Sequence, residues 1–500
     1  KINEEKINKH IDYSKNAFNK EIKYNIENSI KTENKKEVIK SSSYEKLLKN
    51  LIIKNLGRPP ENRRLEITSS RIKEIFIGER DEIKSLVDKA LLEQLLKIEY
   101  KNTFKVARGI KRKFKFFIGQ TNSGKTYKAF NELAKYDSGC YLSPLRLLAL
   151  EGQEEIEKRG KKCNMLTGEE KHIVHDAKFT SSTIEMINTS EEVECIIIDE
   201  IQMLKDENRG WAWTQAMIGA PAENIILAGS EDALDLVKKL VEYTGDELEV
   251  ERLERKSPLK MLNKVSDLKN ISKGTAIIAF SRRDVIKYKM MLKGRKTSTI
   301  YGNLGPEVRK EESRRFREGE TDILIATDAI AMGLNLPIET VLFSTHKKTI
   351  RGEKFELEEQ LVKQISGRAG RYGIKNVGYV GAINKSTLQY VKGIVNKKIS
   401  DNLNDVYIKP NLTYLEQVSE ITGEKDFSKL LELFKYYIDK NKEDFKCTDI
   451  EKMMELYEEI KDFNLSLKES LVFCSAPIKE NNEDAIFYFK KYVSMLVENF

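Results

Sequence analysis

"FKFFIGQTNSGKT", residues 114–126, is the stretch that decides the fold. Phe116, Phe117 and Ile118 read as the end of a buried strand. Gly119–Thr126 follow the spacing G-x-x-x-x-G-K-T, and "YKAFNELAKY" (127–136) continues with helical periodicity. A strand, a loop and a helix in that order make a phosphate cradle. Gly119 and Gly124 let backbone N–H groups turn toward one anion, with Gln120, Thr121, Asn122 and Ser123 forming the loop between them. Lys125 can reach the outer phosphates and the Thr126 hydroxyl can ligate Mg²⁺. The loop therefore implies a nucleoside triphosphate, and leaves open what its energy is used for.

Outward from this loop, short apolar runs alternate with helical stretches: "KFFIG" (115–119), "CYLSP" (140–144), "CIIIDE" (195–200) and "NIILAGS" (224–230). Such runs are strands buried on both faces, as in a parallel α/β sheet. The chain "EVERLERKSPLKM" (249–261) reads as a link, after which the alternation resumes. "GTAIIAFS" (274–281), "TSTIYG" (297–302), "DILIATD" (322–328), "TVLFST" (340–345) and "VGYVGAI" (377–383) predict a second parallel sheet. From about 389 the pattern is helical, with 3.6-residue stripes in "FSKLLELFKYYIDK" (427–440) and "DIEKMMELYEEIKDF" (449–463).

Residues 1–110 carry helix-like patterns and no catalytic signature, and Ile83, Leu86, Val87, Ala90, Leu91, Leu95 and Ile98 fall on one helical face that reads as packing surface. The expected organisation is thus a helical region over 1–110, a first lobe over 111–248, a second over 249–388 and a helical domain over 389–500. The basic run "ARGIKRKFK" (107–115) reads as a solvated approach to the first strand, with nucleic-acid contact as the alternative.

A chain of 500 residues is too long for one core. Charged residues make up 33% and hydrophobic ones 40%, and no apolar run approaches the ~18 residues that cross a bilayer, so no membrane association is expected. The five cysteines, Cys140, Cys163, Cys195, Cys447 and Cys474, are scattered and odd in number, which argues for reduced thiols. The first residues mix acids with bases and resemble neither a secretory signal nor an acid-poor transit peptide. A cytoplasmic, bacterial-type location is accordingly expected in preference to a mitochondrial one. His172 and His175 stand three apart without a third ligand nearby and read as loop residues. The net charge of +8 is compatible with a polyanionic partner.

The strand "CIII" ends in "DEIQ", Asp199–Gln202, at the sheet edge where parallel sheets bind ligands. Asp199 can hold the Mg²⁺ of a bound nucleotide, and Glu200 can orient and deprotonate the attacking water. The second lobe carries "QISGRAGR", Gln364–Arg371, whose Arg368 and Arg371 project from one side of a helical turn. Arg371 would act as an arginine finger and Arg368 would meet the γ-phosphate, with Gln364 beside the nucleotide.

In this order "GQTNSGKT", "DEIQ", "ATDAIAMGLNLP" (326–337) and "QISGRAGR" resemble motifs I, II, V and VI of superfamily 2 helicases. "TNSGKTYKA", "SPLRLLALE", "LTGEE", "DEIQM", "RGWAWT" and "SLKESLVFCSAPI" (466–478) are similar to the wording of the DExH RNA helicases of the mitochondrial-degradosome type and their bacterial relatives.

The resemblance covers about Phe114 to Ile478. It implies two tandem RecA-like α/β lobes flanked by helical N- and C-terminal regions, with ATP and Mg²⁺ held between the lobes. It implies that Ser143, Pro144 and Arg146, Thr183 and Glu185, and Thr327 and Asp328 hold a nucleic-acid backbone, and that Gly333 lies near the nucleotide. It also implies a β-hairpin between motifs V and VI, at "STHKKTIRGEKFELEEQ" (344–360), acting as a wedge at a duplex junction. The superfamily's S-A-T segment stands here as "AGS" (228–230), and no glutamine-bearing adenine-reading motif precedes the phosphate loop, which implies loose base selectivity.

The resulting expectation is an ATP-dependent RNA helicase moving 3′ to 5′ on single-stranded or tailed duplex RNA. An exoribonuclease partner would be required for any RNA degradation. A DNA helicase or translocase and an ATP-gated RNA-binding scaffold for a nuclease are the alternatives.

Overall fold

Strand β1 (Lys113–Gly119) runs into the glycine-rich loop, and helix α1 (Lys125–Leu133) leaves it. The computed structural model of the protein describes residues 99–498 other than 169, 256, 303, 332–335, 351–352, 371–376, 398–404, 441–444 and 479–481, together with residues 85, 88, 89, 92 and 96. The apolar stripe Ile83, Leu86, Val87, Ala90, Leu91, Leu95 and Ile98, and most of the helical region expected over 1–110, lie outside the described residues.

With β2 (Gly139–Ser143), β3 (Cys163–Leu166), β4 (Lys171–His172), β5 (Phe179–Thr183), β6 (Val193–Ile198), β7 (Ala222–Gly229) and β8 (Glu247–Leu253), β1 forms an eight-stranded sheet ordered β4-β3-β5-β2-β6-β7-β1-β8. Every neighbouring pair is parallel except β3 with β4. Helices α2 (Arg146–Glu157), α3 (Gly210–Gly219) and α4 (Leu234–Thr244) complete this lobe. Ile196, Ile197 and Ile198 are all buried, as a strand covered on both faces requires. Ile197 joins Phe117, Phe130, Leu133, Tyr141 and Ile226 in one apolar cluster.

The second sheet is wholly parallel, ordered β11-β12-β10-β13-β16-β9, from β9 (Leu259–Met261), β10 (Thr275–Ile278), β11 (Thr297–Ile300), β12 (Ile323–Ala326), β13 (Thr340–Phe343) and β16 (Gly378–Ala382). Around it lie α5 (Arg282–Met291), α6 (Pro306–Arg317), α7 (Glu359–Gly367) and α8 (Lys385–Val395). Side chains alternate between its faces. Ala276 and Ile278 pack with Phe343, Val362, Ile365 and Leu388, whereas Ile277 and Leu342 pack with Val285, Tyr288 and Leu292. Between β13 and α7, β14 (Lys347–Ile350) and β15 (Glu353–Glu356) pair antiparallel as a hairpin.

Two local expectations change. The stretch 249–261 is mostly strand, because β8 is the edge of the first sheet and β9 the edge of the second, so only Glu254–Pro258 connects them. An edge strand is half solvated, and the charges of β8, with Glu249 facing Lys115 and Glu251 facing Lys128, disguise it as a linker.

The basic run 107–115 is a solvated approach only in part: Lys111 and Lys113 are exposed, whereas Arg112 is presented neither to solvent nor to nucleic acid. The Arg112 side chain is fully buried. It pairs with Asp246 and donates to the carbonyls of Met217 (3.0 Å), Ile218 (3.0 Å) and Ala220 (3.2 Å) at the end of α3. Orphan carbonyls at a helix C-terminus are a natural seat for a cation.

Residues Phe104–Tyr407, with both sheets, form one unit, and the described residues before Phe104 with those from Ile408 form a second. In that second unit are α9 (Leu412–Thr422), α10 (Phe427–Lys440), α11 (Ile450–Glu458), α12 (Leu467–Cys474) and α13 (Glu483–Glu498). Tyr414 meets Phe434 edge-on at 5.0 Å, and Tyr100 OH donates to the Lys409 carbonyl at 3.0 Å. No described helix is long and apolar enough to cross a membrane.

Candidate functional site

The loop between β1 and α1 needs backbone that most residues avoid: Asn122 has φ 66° and Gly124 φ 87°. At Gly124 the absence of a Cβ removes the steric cost of that conformation. Lys125 is only 8% exposed although charged, and the Ser123 hydroxyl is buried without a hydrogen-bond partner among the described residues. A cavity of about 850 Å³ opens over the loop. It is lined by Thr121–Lys128, Tyr141, Glu151, Asp199, Glu200, Leu336 and Arg368, among others. Gly119 at the strand end and the exposed Gln120 do not line it.

Asp199 follows β6 and is 3% exposed. Its carboxylate accepts from Tyr141 OH (2.9 Å) and from the Glu200 N–H (2.9 Å), and lies 3.3 and 3.4 Å from Thr126 Oγ1. The buried Trp213 indole donates to its backbone carbonyl at 2.9 Å. Burial raises the Asp199 carboxyl above its ordinary range, with the Glu200 charge adding to this and Lys125 opposing it. Glu200 has φ 50° and ψ 47°, a left-handed conformation that costs a residue with a Cβ on the order of 1–3 kcal/mol and is tolerated where surroundings hold it. Gln202 does so by donating to the Glu200 carboxylate, while its own Oε1 accepts from the Ser230 N–H at 3.2 Å.

From the second sheet, α7 brings Arg368 to the cavity, its Nη2 3.7 Å from Glu200 Oε1. Burial lowers this guanidinium against the upward pull of Glu200 and Asp199. The last turn of α7 also touches the phosphate loop, where Asn122 Nδ2 donates to the Gly367 carbonyl at 2.9 Å. A Cβ on Gly367 would stand 2.6 Å from the Thr121 Cβ, so this close approach requires glycine. At the other end of the helix, Gln360 Nε2 donates to Asp232 Oδ2 at 3.3 Å, and Asp232 also accepts from the Ser230 hydroxyl. Gln364 lies on α7 but does not line the cavity. Gly333 and Arg371 lie outside the described residues.

Six of the candidate backbone-binding residues lie at or just beyond the C-terminal ends of parallel strands. Ser143 closes β2 beside Thr183, its partner in β5. The Ser143 hydroxyl is turned inward, its single proton within reach of the carbonyls of Leu145 and Ser182, each 3.1 Å away. Pro144 and Glu185 are tied together by Arg209, which donates to the Pro144 carbonyl at 2.7 Å and to the Glu185 carboxylate at 2.7 and 3.1 Å. Thr327 and Asp328 follow β12, with Thr327 only 8% exposed. Arg146, at the start of α2, pairs with Glu170 at 2.7 Å. Sequence reasoning does not mark Arg209 or Tyr141 as site residues: Arg209 stands in "RGWAWT", whose wording is its only signal, and Tyr141 stands in "CYLSP", which reads simply as a buried strand.

The residues present fit Mg²⁺. The donors beside Lys125 are the Thr126 hydroxyl and the Asp199 carboxylate, hard oxygen ligands of the kind that ion takes, and the buried carboxylate has reason to hold a cation.

Three family models match the chain: the DEXQ-box helicase domain of Suv3 over residues 100–253, the helicase conserved C-terminal domain over 259–373, and the Suv3 C-terminal domain 1 over 456–497. Among curated relatives, the Arabidopsis thaliana DExH-box ATP-dependent RNA helicase DExH18, mitochondrial, is 36% identical over 85% of this chain and 55% of its own length. The DExH16 protein of the same plant is 35% identical over 76% of this chain and 67% of its own length. The Caenorhabditis elegans SUV3 homolog is 38% identical over 77% of this chain and 54% of its own length. The chain thus spans about half the length of most of the curated relatives it matches.

Among solved structures, Saccharomyces cerevisiae Dbp5 bound to RNA and ADP BeF3 is 14% identical at a TM-score of 0.44, covering 63% of this chain and 91% of that one. The expected cytoplasmic location is overturned, because the matched relatives from plants, worm, yeasts and mouse are all named mitochondrial. Reduced thiols argue against an oxidising compartment and do not choose among reducing ones.

Proposed function

The chain belongs to the Suv3 family of superfamily 2 DExH helicases, and on that premise we propose that it is an ATP-dependent RNA helicase, coupling ATP hydrolysis to 3′-to-5′ movement on single-stranded RNA and to duplex unwinding. The observation that carries this reading is the meeting of two lobes at one cavity, with the phosphate loop and carboxylates of the first sheet facing Arg368 of the second. RNA degradation would fall to an exoribonuclease partner.

On this reading the loop N–H groups and Lys125 bind the phosphates, and the orphaned Ser123 hydroxyl gains an acceptor there. Thr126 and Asp199 would hold Mg²⁺, whose charge offsets that of the phosphates. Tyr141 fixes the Asp199 carboxylate by its hydrogen bond. Glu200 accepts the proton of the attacking water, and Gln202 keeps its carboxylate aimed into the cavity. Arg368 serves the γ-phosphate and Arg371 the developing charge. Arg146, Thr183, Thr327 and Asp328 line a track for the RNA backbone at the strand ends, and Arg209 shapes the Pro144–Glu185 part of it. Such contacts position a strand without reading its sequence, so binding falls with salt.

The experiment is strand displacement with ATP on duplexes carrying a 3′ or a 5′ tail, in RNA and in DNA. Unwinding of 3′-tailed RNA is the expected result. Equal unwinding of DNA would replace the RNA reading, and ATP binding without hydrolysis would leave only the scaffold.

A further inference from the structure

Arg255 lies in Glu254–Pro258, the short covalent connection between the two sheets. No carboxylate side chain among the described residues pairs with it, and its guanidinium is directed wholly at backbone carbonyls. Nε donates to Ser257 O at 2.6 Å. Nη1 donates to Thr121 O in the phosphate loop and to Gly367 O, each at 2.8 Å. Nη2 donates to Ala369 O and reaches Gly370 O at 3.4 Å. The Gly367 carbonyl belongs to the last turn of α7, where acceptors have no partner inside the helix and the helix dipole favours a cation. Arg255 does not itself line the cavity.

We propose that Arg255 is a positioning residue for nucleotide hydrolysis, which joins the phosphate loop to the end of α7 and thereby sets Arg368 against the Glu200 site. The inference rests on the hydrolytic function proposed above. Asn122 reinforces the same junction from the loop side through its bond to Gly367 O. The planar fork is what the site uses, since carbonyls of two lobes lie within reach of one guanidinium. A lysine ammonium is a single point charge on a flexible stem and cannot hold them in that fixed arrangement. Because the loop can bind phosphates without this junction, losing it acts on the chemical step more than on nucleotide capture.

The test compares the parent protein with Arg255→Lys, Arg255→Ala, Arg368→Ala and the double Arg255→Ala/Arg368→Ala variant. The readouts are RNA-stimulated ATPase kcat, KM for ATP and thermal unfolding. Arg255→Ala is expected to lower kcat about a hundredfold, the cost of misplacing a reacting group by roughly 1 Å, with KM little changed. Arg255→Lys should keep the unfolding midpoint and fail to restore kcat. The double variant should be no slower than Arg368→Ala alone, because the first residue acts through the second. Multiplying losses in the double variant, full activity of Arg255→Lys, or a rise in KM at unchanged kcat would each overturn the proposal. A parent protein that hydrolyses no ATP would sink the hydrolytic reading and this inference together, whereas an active parent with active Arg255 variants sinks this inference alone.

Discussion

Arg368 of the second lobe and Glu200 of the first face one another at 3.7 Å inside the cleft, both largely buried, although they belong to different sheets. On the proposed function, a base and a cation so placed would serve opposite tasks on one phosphate: the carboxylate to take a proton and the guanidinium to meet negative charge.

Glu200→Gln should keep the shape and the hydrogen bond from Gln202 while removing the base. Steady-state hydrolysis is expected to fall by ~10²–10⁴, with nucleotide binding retained in a titration against a fluorescent ATP analogue. Hydrolysis near the parent rate would show that another group activates the water.

Arg368→Ala and Arg371→Ala should each lose about 10³–10⁵ in turnover, the range of arginine fingers in comparable sites. Binding of single-stranded RNA without nucleotide should change little in both, because neither arginine is needed until the phosphates are present. Survival of basal and RNA-stimulated hydrolysis in the Arg371 variant would remove it from the role of finger.

Arg112→Met should destabilise the protein by about 1–3 kcal/mol, since it removes the nearer cationic partner of the buried Asp246 carboxylate, leaving Arg108 at 3.7 Å, and takes a donor from three carbonyls. Urea unfolding reads this directly. Adding Asp246→Leu should recover part of the loss, and if it deepens the loss instead, the pair is not the source of the effect.

Replacing residues 349–355 by a short Gly-Ser linker should leave RNA-stimulated ATPase largely intact and sharply reduce unwinding of a 3′-tailed duplex. The antiparallel β14–β15 pairing carries Phe355, which is 46% exposed. Equal unwinding by both proteins at saturating ATP would make the hairpin a surface ornament.

What the sequence makes legible is what is local. The β1 run, the glycine spacing and the "DEIQ" carboxylates announce themselves because each is a short pattern whose neighbours state its context. Arg255 and Arg112 do not, because their partners are main-chain carbonyls distant in sequence, and a carbonyl has no letter of its own. Both arginines stand in charged runs of the composition that solvated segments also have. Strand β5, "FTSST", is likewise silent in the sequence: a buried strand rich in Ser and Thr lacks the apolar run that marks β6. Its hydroxyls find partners only in the fold, as when Ser181 Oγ bonds the Ala149 carbonyl.

Helix α7 is fastened to the first lobe at both ends, by Gln360 to Asp232 at its start and by Gly367 to Asn122 at its finish. A rod pinned at one end can swing, but a rod pinned at two cannot turn about either without breaking the other. Parting of the lobes would then cost both attachments, and a half-open arrangement would forfeit one contact before gaining the freedom that compensates for it. Opening of that kind would behave as a switch with two positions, and on the proposed function each hydrolysis event would then count as one whole step along the strand instead of a drift.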